Sequence, residues 1–161
     1  MDQQEFEKII KDSSDLSSMD FRGIKLKDLD LSELDLRYAC FTNSKLENVN
    51  FKNCNLGAVD FSYCDASNVT FFSVDLRWSV FENSNLIDLK FEKISGLESN
   101  FQNSTIENVN FISADIRRCK FQNSKFIQVD FLESNLAQCV FYGSEKVQVN
   151  YHDSNLFNVN F

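Results

Sequence analysis

The 161-residue sequence predicts an all-β solenoid, a rod made by a chain that turns a corner every five residues, with a short helix in front. Three observations predict it. From residue 21 to residue 161 there are 29 evenly spaced central positions, and 26 of them carry Phe, Leu, Ile or Tyr. Two residues before each centre the side chain is small or apolar, as at Val49, Cys54, Val59, Cys64, Ser84, Ala114 and Cys119. One residue before, Asp or Asn fills 17 of the 29 sites. A period of five suits neither a helix, which repeats at about 3.6, nor a strand, which repeats at about two. In each pentad the centre and the residue two before it can face inward on one short extended stretch. Asp, Asn, Ser and Gly then supply the turn chemistry.

Residues 1–18 lie outside the repeat. Phe6, Ile9 and Ile10 have helical spacing among Glu and Lys, which predicts a helix over residues 2–12. A solenoid exposes core at its terminal coil, so this helix is expected to cap the first one. Its acidic character argues against a membrane-surface helix. Asp2, Glu5 and Glu7 stand where a secretory signal would be basic. The solenoid itself is expected to span residues 19–161.

Within it Phe recurs every ten residues from Phe41 to Phe141, with Phe21, Tyr151 and Phe161 in the same series and Leu31 as its one interruption. Leu26, Leu36, Leu46, Leu56 and their successors to Leu156 fall midway between. Three centres depart from the pattern: Ala66, Gly96 and Lys146. Around the last two, at 94–97 and 143–147, the register wobbles. Leu97 and Val147, one residue on, are candidates to turn inward instead.

Segments such as Val49-Asn50-Phe51, Val109-Asn110-Phe111 and Val159-Asn160-Phe161, and the Ser-Asn-Leu runs at 84–86, 134–136 and 154–156, resemble the pentapeptide-repeat family, whose consensus is Ala-(Asp/Asn)-Leu-X-X. The resemblance covers residues 19–161 without an insertion. It implies a right-handed quadrilateral β-helix with four pentads to a coil. That gives about seven coils and, at about 4.8 Å between neighbouring strands, a rod about 35 Å long. Phe21, Phe41, Phe61, Phe81, Phe101, Phe121, Phe141 and Phe161 then share one face. Leu31, Phe51, Phe71, Phe91, Phe111, Phe131 and Tyr151 share the opposite one.

The formal net charge is -8, which argues against direct nucleic-acid binding. No apolar run approaches the length of about 18 residues needed to cross a membrane. Cys40, Cys54, Cys64, Cys119 and Cys139 are an odd number of cysteines, and the last four sit at the small inward position. They read as reduced, buried thiols in a cytoplasmic protein. Cys119 and Cys139, one coil apart, are expected to stack without bonding. There is no Cys-x-x-Cys pair, and His152, the single imidazole, is expected on an outward site. Neither a nucleophile-base pair nor a phosphate loop can be assembled. The sequence therefore predicts no enzyme, no metal site and no cofactor.

One longer pattern stands outside the core. Asp35-Leu36-Arg37-Tyr38, Asp75-Leu76-Arg77-Trp78 and Asp115-Ile116-Arg117-Arg118 recur every 40 residues, on one face and two coils apart. Arg37, Tyr38, Arg77, Trp78, Arg117 and Arg118 thus form a candidate protein-binding strip, Arg and Trp being common interface anchors. Ile87, Ile127 and Val147, with Ile112 and Leu132, form a second, apolar outward set. At the far end Leu156, Phe157 and Phe161 leave core exposed, a candidate end for a homodimer. These features predict a non-enzymatic interaction scaffold with an unidentified protein partner. The alternative implied by the family resemblance is an acidic DNA mimic that binds DNA gyrase, as in quinolone-resistance members. The charge is spread, -5 over residues 1–80 and -3 over residues 81–161, and no loop leaves the register.

Overall fold

The computed structural model describes residues 1–161. Helix α1, Gln3–Asp12, is followed by seven parallel strands in one sheet: β1 Lys25–Asp30, β2 Lys45–Asn50, β3 Asp65–Ser67, β4 Asn85–Ile87, β5 Thr105–Glu107, β6 Lys125–Asp130 and β7 Glu145–Asn150. Each strand pairs with the next in a fixed register of 20 residues, Lys25 with Lys45, Leu46 with Ala66, Phe126 with Lys146. Single bridges with the same offset tie the other three faces together, as in Asp15 with Asp35, Cys40 with Asp60 and Asn50 with Thr70. The chain is thus a parallel β-solenoid. Its seven strands are six full turns apart, with part-coils beyond each end.

The corner is made the same way in every pentad. The residue two after each centre has φ between 52° and 73°, from Ser18 to Asn158. Asn and Asp hold many of these corners, because their side chains tolerate the left-handed region. In most pentads the N–H three residues after a centre donates back to that centre's carbonyl, as Cys54 does to Phe51 at 3.1 Å. The Asp or Asn before the centre has its own task. Its side-chain oxygen accepts the N–H two residues on, as Asn50 does from Lys52 (3.1 Å) and Asp60 from Ser62 (2.8 Å). The preference for Asp and Asn read from the sequence is therefore a hydrogen bond repeated along the rod.

Inside, the Phe columns stack as expected. Phe81 and Phe101 lie 4.8 Å apart with parallel rings, and Phe71 and Phe91 lie 4.7 Å apart at 6°. Rings of opposite columns meet edge to face, as Phe81 and Phe91 do at 5.7 Å and 87°. Both geometries suit the ring quadrupole. Between the columns, buried hydroxyls and thiols at the small inward position donate to the carbonyl of a centre in the preceding coil. Ser104 reaches Phe81 O at 2.7 Å, and Cys64 reaches Phe41 O at 2.9 Å. At Phe41 the carbonyl also accepts the Ser44 N–H at 3.1 Å and so fills both lone pairs.

The helix caps the first coil. Asp2 and Glu5 form a reciprocal capping box, and Phe6 is fully buried with its ring 5.0 Å from Phe21. The Gln3 side-chain amide also bonds both backbone groups of Lys27, at 2.9 and 3.0 Å, and so occupies the free edge of β1.

The register does not wobble at the two weak centres, which corrects the expectation. Gly96 stays inward, and Ile116 and Ile94 close over it, 3.1 and 3.3 Å from where a Cβ would stand. Leu97 remains half-buried outside. Val147 is exposed, and Lys146 itself takes the inward place. Its long stem reaches over the rings of Phe141 and Phe161, with Nζ 5.6 and 5.5 Å from their centroids.

Candidate interaction surface

The strip forms on the face that begins each coil with Asp15, Asp35, Asn55, Asp75, Ser95, Asp115 and Asn135. Charged and neutral coils alternate after Asp35, so successive carboxylates do not stack at one-coil spacing. Each Asp on alternate coils holds the Arg two residues on in a two-pronged pair: Arg37 with Asp35 (2.9 and 2.6 Å), Arg77 with Asp75 (2.9 and 2.6 Å), Arg117 with Asp115 (2.7 and 2.8 Å). The Arg37 hydrogen bonds hold Asp35 below the usual carboxylate range. For Asp75, burial pushes upward, but the hydrogen bonds and charge of Arg77 outweigh it and the net shift is down.

Tyr38, Trp78 and Arg118 occupy the left-handed corners of these same coils, at φ 61°, 61° and 58°. Backbone geometry therefore throws their side chains outward, and Tyr38 is 65% and Trp78 52% exposed. Arg77 lies over the Trp78 ring at 5.4 Å. Trp78 Nε1 donates to Glu98 at 3.3 Å, and Arg118 donates to Glu98 at 3.1 Å and to Gln138 at 2.9 Å. Between the two aromatic residues the intervening coil carries only Gly57 and Ala58. The resulting hollow, about 180 Å³, is lined by Arg37, Tyr38, Asn55, Gly57, Ala58, Asp75, Arg77 and Trp78. The six predicted strip residues thus share one face, but their guanidinium groups are already paired. The strip is close to neutral on a chain of net charge -8.

The other predicted sites are placed as follows. Ile87, Ile127, Ile112 and Leu132 are half-buried, and Glu107 stands between Ile87 and Ile127 in the same column. At the end of the rod Leu156, Phe157 and Phe161 are exposed, with Phe161 still stacked on Phe141 at 5.5 Å. His152 is exposed, as expected, and reaches the carboxylate of its neighbour Asp153 at 3.2 Å. All five cysteines are free. Cys119 and Cys139 each donate to a main-chain carbonyl at 2.9 Å. Burial pushes the Cys54 and Cys64 thiols up to about 12. No group of three or more His, Cys, Asp or Glu comes together, and no helix is long and apolar enough to cross a membrane.

One surface escaped the sequence reading. The largest hollow on the rod, about 410 Å³, is lined by Asn50, Lys52, Thr70, Phe72, Lys90 and Glu92. Lys52 and Lys93 both stand over the Phe72 ring, at 5.8 and 5.4 Å. The available signal was Phe72, an aromatic residue immediately after a Phe centre and outside the ladder.

The sequence model described as the pentapeptide repeat region matches residues 4–77 and 44–117, and a second, of pentapeptide repeats in eight copies, matches residues 114–145. The chain belongs to the pentapeptide repeat family. Among solved structures it is similar to a trypsin-treated variant of QnrB1, a plasmid-mediated fluoroquinolone resistance protein, at 17% identity over 90% of this chain and 87% of that one, with a TM-score of 0.54. It also matches HetL, a pentapeptide repeat protein involved in heterocyst differentiation regulation from the cyanobacterium Nostoc, at 11% identity over 99% of this chain and 94% of that one, with a TM-score of 0.34. No curated protein matches the sequence.

Proposed function

We propose that this protein is a non-enzymatic interaction scaffold that docks a protein partner along the Arg–aromatic strip. The observation that carries the reading is the pair of exposed rings, Tyr38 and Trp78, fixed on a rigid face with a hollow between them. Ordered coils hold the anchors in place before binding, so little side-chain entropy is lost on docking. The paired Arg groups fit the same role, since a neutral strip can be desolvated without stranding a charge. Partner capture should be lost in an Arg77→Ala/Trp78→Ala variant that keeps the wild-type melting temperature. Equal recovery of the same partner by both proteins would remove the strip from the reading. The scaffold would work in the cytoplasm, a setting that five free thiols support. The exposed Phe157 and Phe161 support a homodimer through that end. Light scattering should then give twice the mass for wild type and the monomer mass for Phe161→Asp. Two monomers would end that proposal.

The second reading is an acidic mimic of DNA that binds DNA gyrase. It is supported by the net charge of -8 and by a fold shared with a fluoroquinolone resistance protein. The neutral strip and the lysine-lined hollow interrupt the acidic surface such a mimic would use. Purified protein should inhibit gyrase supercoiling or protect it from quinolone-induced cleavage. No effect at about the tens-of-micromolar level, where even weak specific binding registers, would dispose of the mimic.

A further inference from the structure

All five Arg side chains of this protein are held in ion pairs, whereas of the lysines only Lys27 is. Unpaired positive charge is therefore carried by lysine, and the largest hollow gathers it beside an aromatic ring. Lys52, Lys90 and Lys93 come from three different corner positions and two coil levels. Lys52 and Lys90 line the hollow, and Lys52 and Lys93 approach the one Phe72 ring from coils on either side of it. The one carboxylate in the lining, Glu92, lies 3.4 Å from the Asn110 amide that donates to it. Phe72 is half-buried and offers a flat apolar floor.

We propose that this hollow binds a short acidic segment of a protein partner, two carboxylates flanking an apolar side chain that lies on Phe72. The inference rests on the reading of the protein as an interaction scaffold, and uses a different surface from the strip. Charge complementarity selects the occupant. Three ammonium groups outside any ion pair, against the one carboxylate of Glu92, favour an anion, and the apolar floor favours one with an apolar body. Lys52 and Lys90 stand two coils apart, about 10 Å along the rod. In an extended peptide every second side chain shares a face, so a Glu, an apolar residue and a Glu at alternate positions span about 14 Å, a distance the flexible lysine stems can meet from the two levels. A long polyanion is disfavoured, because beyond the hollow it would meet a rod of net charge -8.

The probe is a fluorescein-labelled Glu-Glu-Phe-Glu-Glu peptide, followed by anisotropy, with Gln-Gln-Phe-Gln-Gln as its neutral counterpart. The acidic peptide should bind wild type and weaken roughly tenfold or more for Lys52→Glu/Lys90→Glu/Lys93→Glu, three small exposed attractions becoming three repulsions together. The Gln triple variant should fall between the two and controls for folding. Binding should weaken as salt rises from about 50 mM to about 300 mM. Phe72→Ala should weaken the acidic peptide as well, and Arg77→Ala/Trp78→Ala should leave it unchanged. The proposal is overturned by no binding at about 1 mM peptide, by equal binding of the neutral peptide, or by equal affinity in the triple variants. Displacement by inorganic pyrophosphate or a short oligonucleotide at lower concentration than by unlabelled peptide would reassign the hollow to phosphate and overturn it too. Loss of strip-dependent capture with peptide binding intact would strike only the strip; the converse would strike only the hollow.

Discussion

Lys146 puts an ammonium group where nearly every other pentad puts an apolar side chain. Loss of solvent around it lowers its pKa from the ordinary lysine value. The folded state therefore disfavours the charged form, a penalty present at neutral pH and relieved only as pH rises toward the ordinary value. Lys146→Leu should extend the apolar column that runs through Phe126 and stabilise the protein by about 1 kcal/mol, the site being only half-buried. The denaturant midpoint would rise; a fall would mean that the two ring contacts outweigh the desolvation. The buried cysteines work in the opposite sense. Cys54 and Cys64 keep their protons to about 12, against an ordinary value of 9.0. Their contribution to stability is full below pH 9.0 and is lost as pH climbs to about 12. A thiol reagent at neutral pH should label half-buried Cys40 first, and the other four only as fast as the coils open. Rapid labelling of all five in native buffer would contradict this.

The coil is the repeating element, and helix α1 is the one element that is not a coil. Phe6 seals the first ring of the ladder edge-on, so Phe6→Ala should destabilise by about 3 kcal/mol. The loss should be local: hydrogen exchange should quicken at the Leu16 and Ser18 amides and stay slow around Phe101. Exchange rising evenly along the rod would mean that the helix supports the whole molecule. Centres, columns and cap were all legible in the sequence, because each depends on the identity of one residue at a fixed interval. The corner was only half legible. Asn43, Asn83 and Asn123 announce a left-handed turn, but Tyr38, Lys93 and Trp78 adopt it too. Their conformation is imposed by the coils above and below, at a cost of about 1–2 kcal/mol that local sequence does not reveal. The strip was legible as a 40-residue period, but the closing of its Arg groups onto Asp35, Asp75 and Asp115 was not. The lysine hollow was hidden for another reason. Lys52, Lys90 and Lys93 sit at different positions within their pentads, and only the turning of a corner brings them to Phe72 and the hollow beside it.

At the scale of the whole molecule, each coil touches only its neighbours, so position along the rod decides the cost of a change. Phe101, stacked on both sides by Phe81 and Phe121, should cost about 3–5 kcal/mol on truncation to Ala, and Phe161, stacked on one side and exposed, about 1 kcal/mol. Equilibrium unfolding of the two variants checks the ratio. Similar losses would show that the end coil is as tightly built as the middle.

The alternation of Asp35, Asn55 and Asp75 also bears on how such a chain can change its length. Removing one whole coil, residues 41–60 for example, would leave every aromatic column continuous. It would also set Arg37 directly against Arg77 and Asp35 against Asp75, at about 4.8 Å, where like charges repel. The core can therefore be lengthened or shortened by single coils, while the strip keeps its Arg groups two coils apart only when coils are added or removed in pairs. Growth by duplication of two coils at a time preserves both, and the three Asp-x-Arg segments of the strip, at residues 35–37, 75–77 and 115–117, carry the spacing such a history would leave.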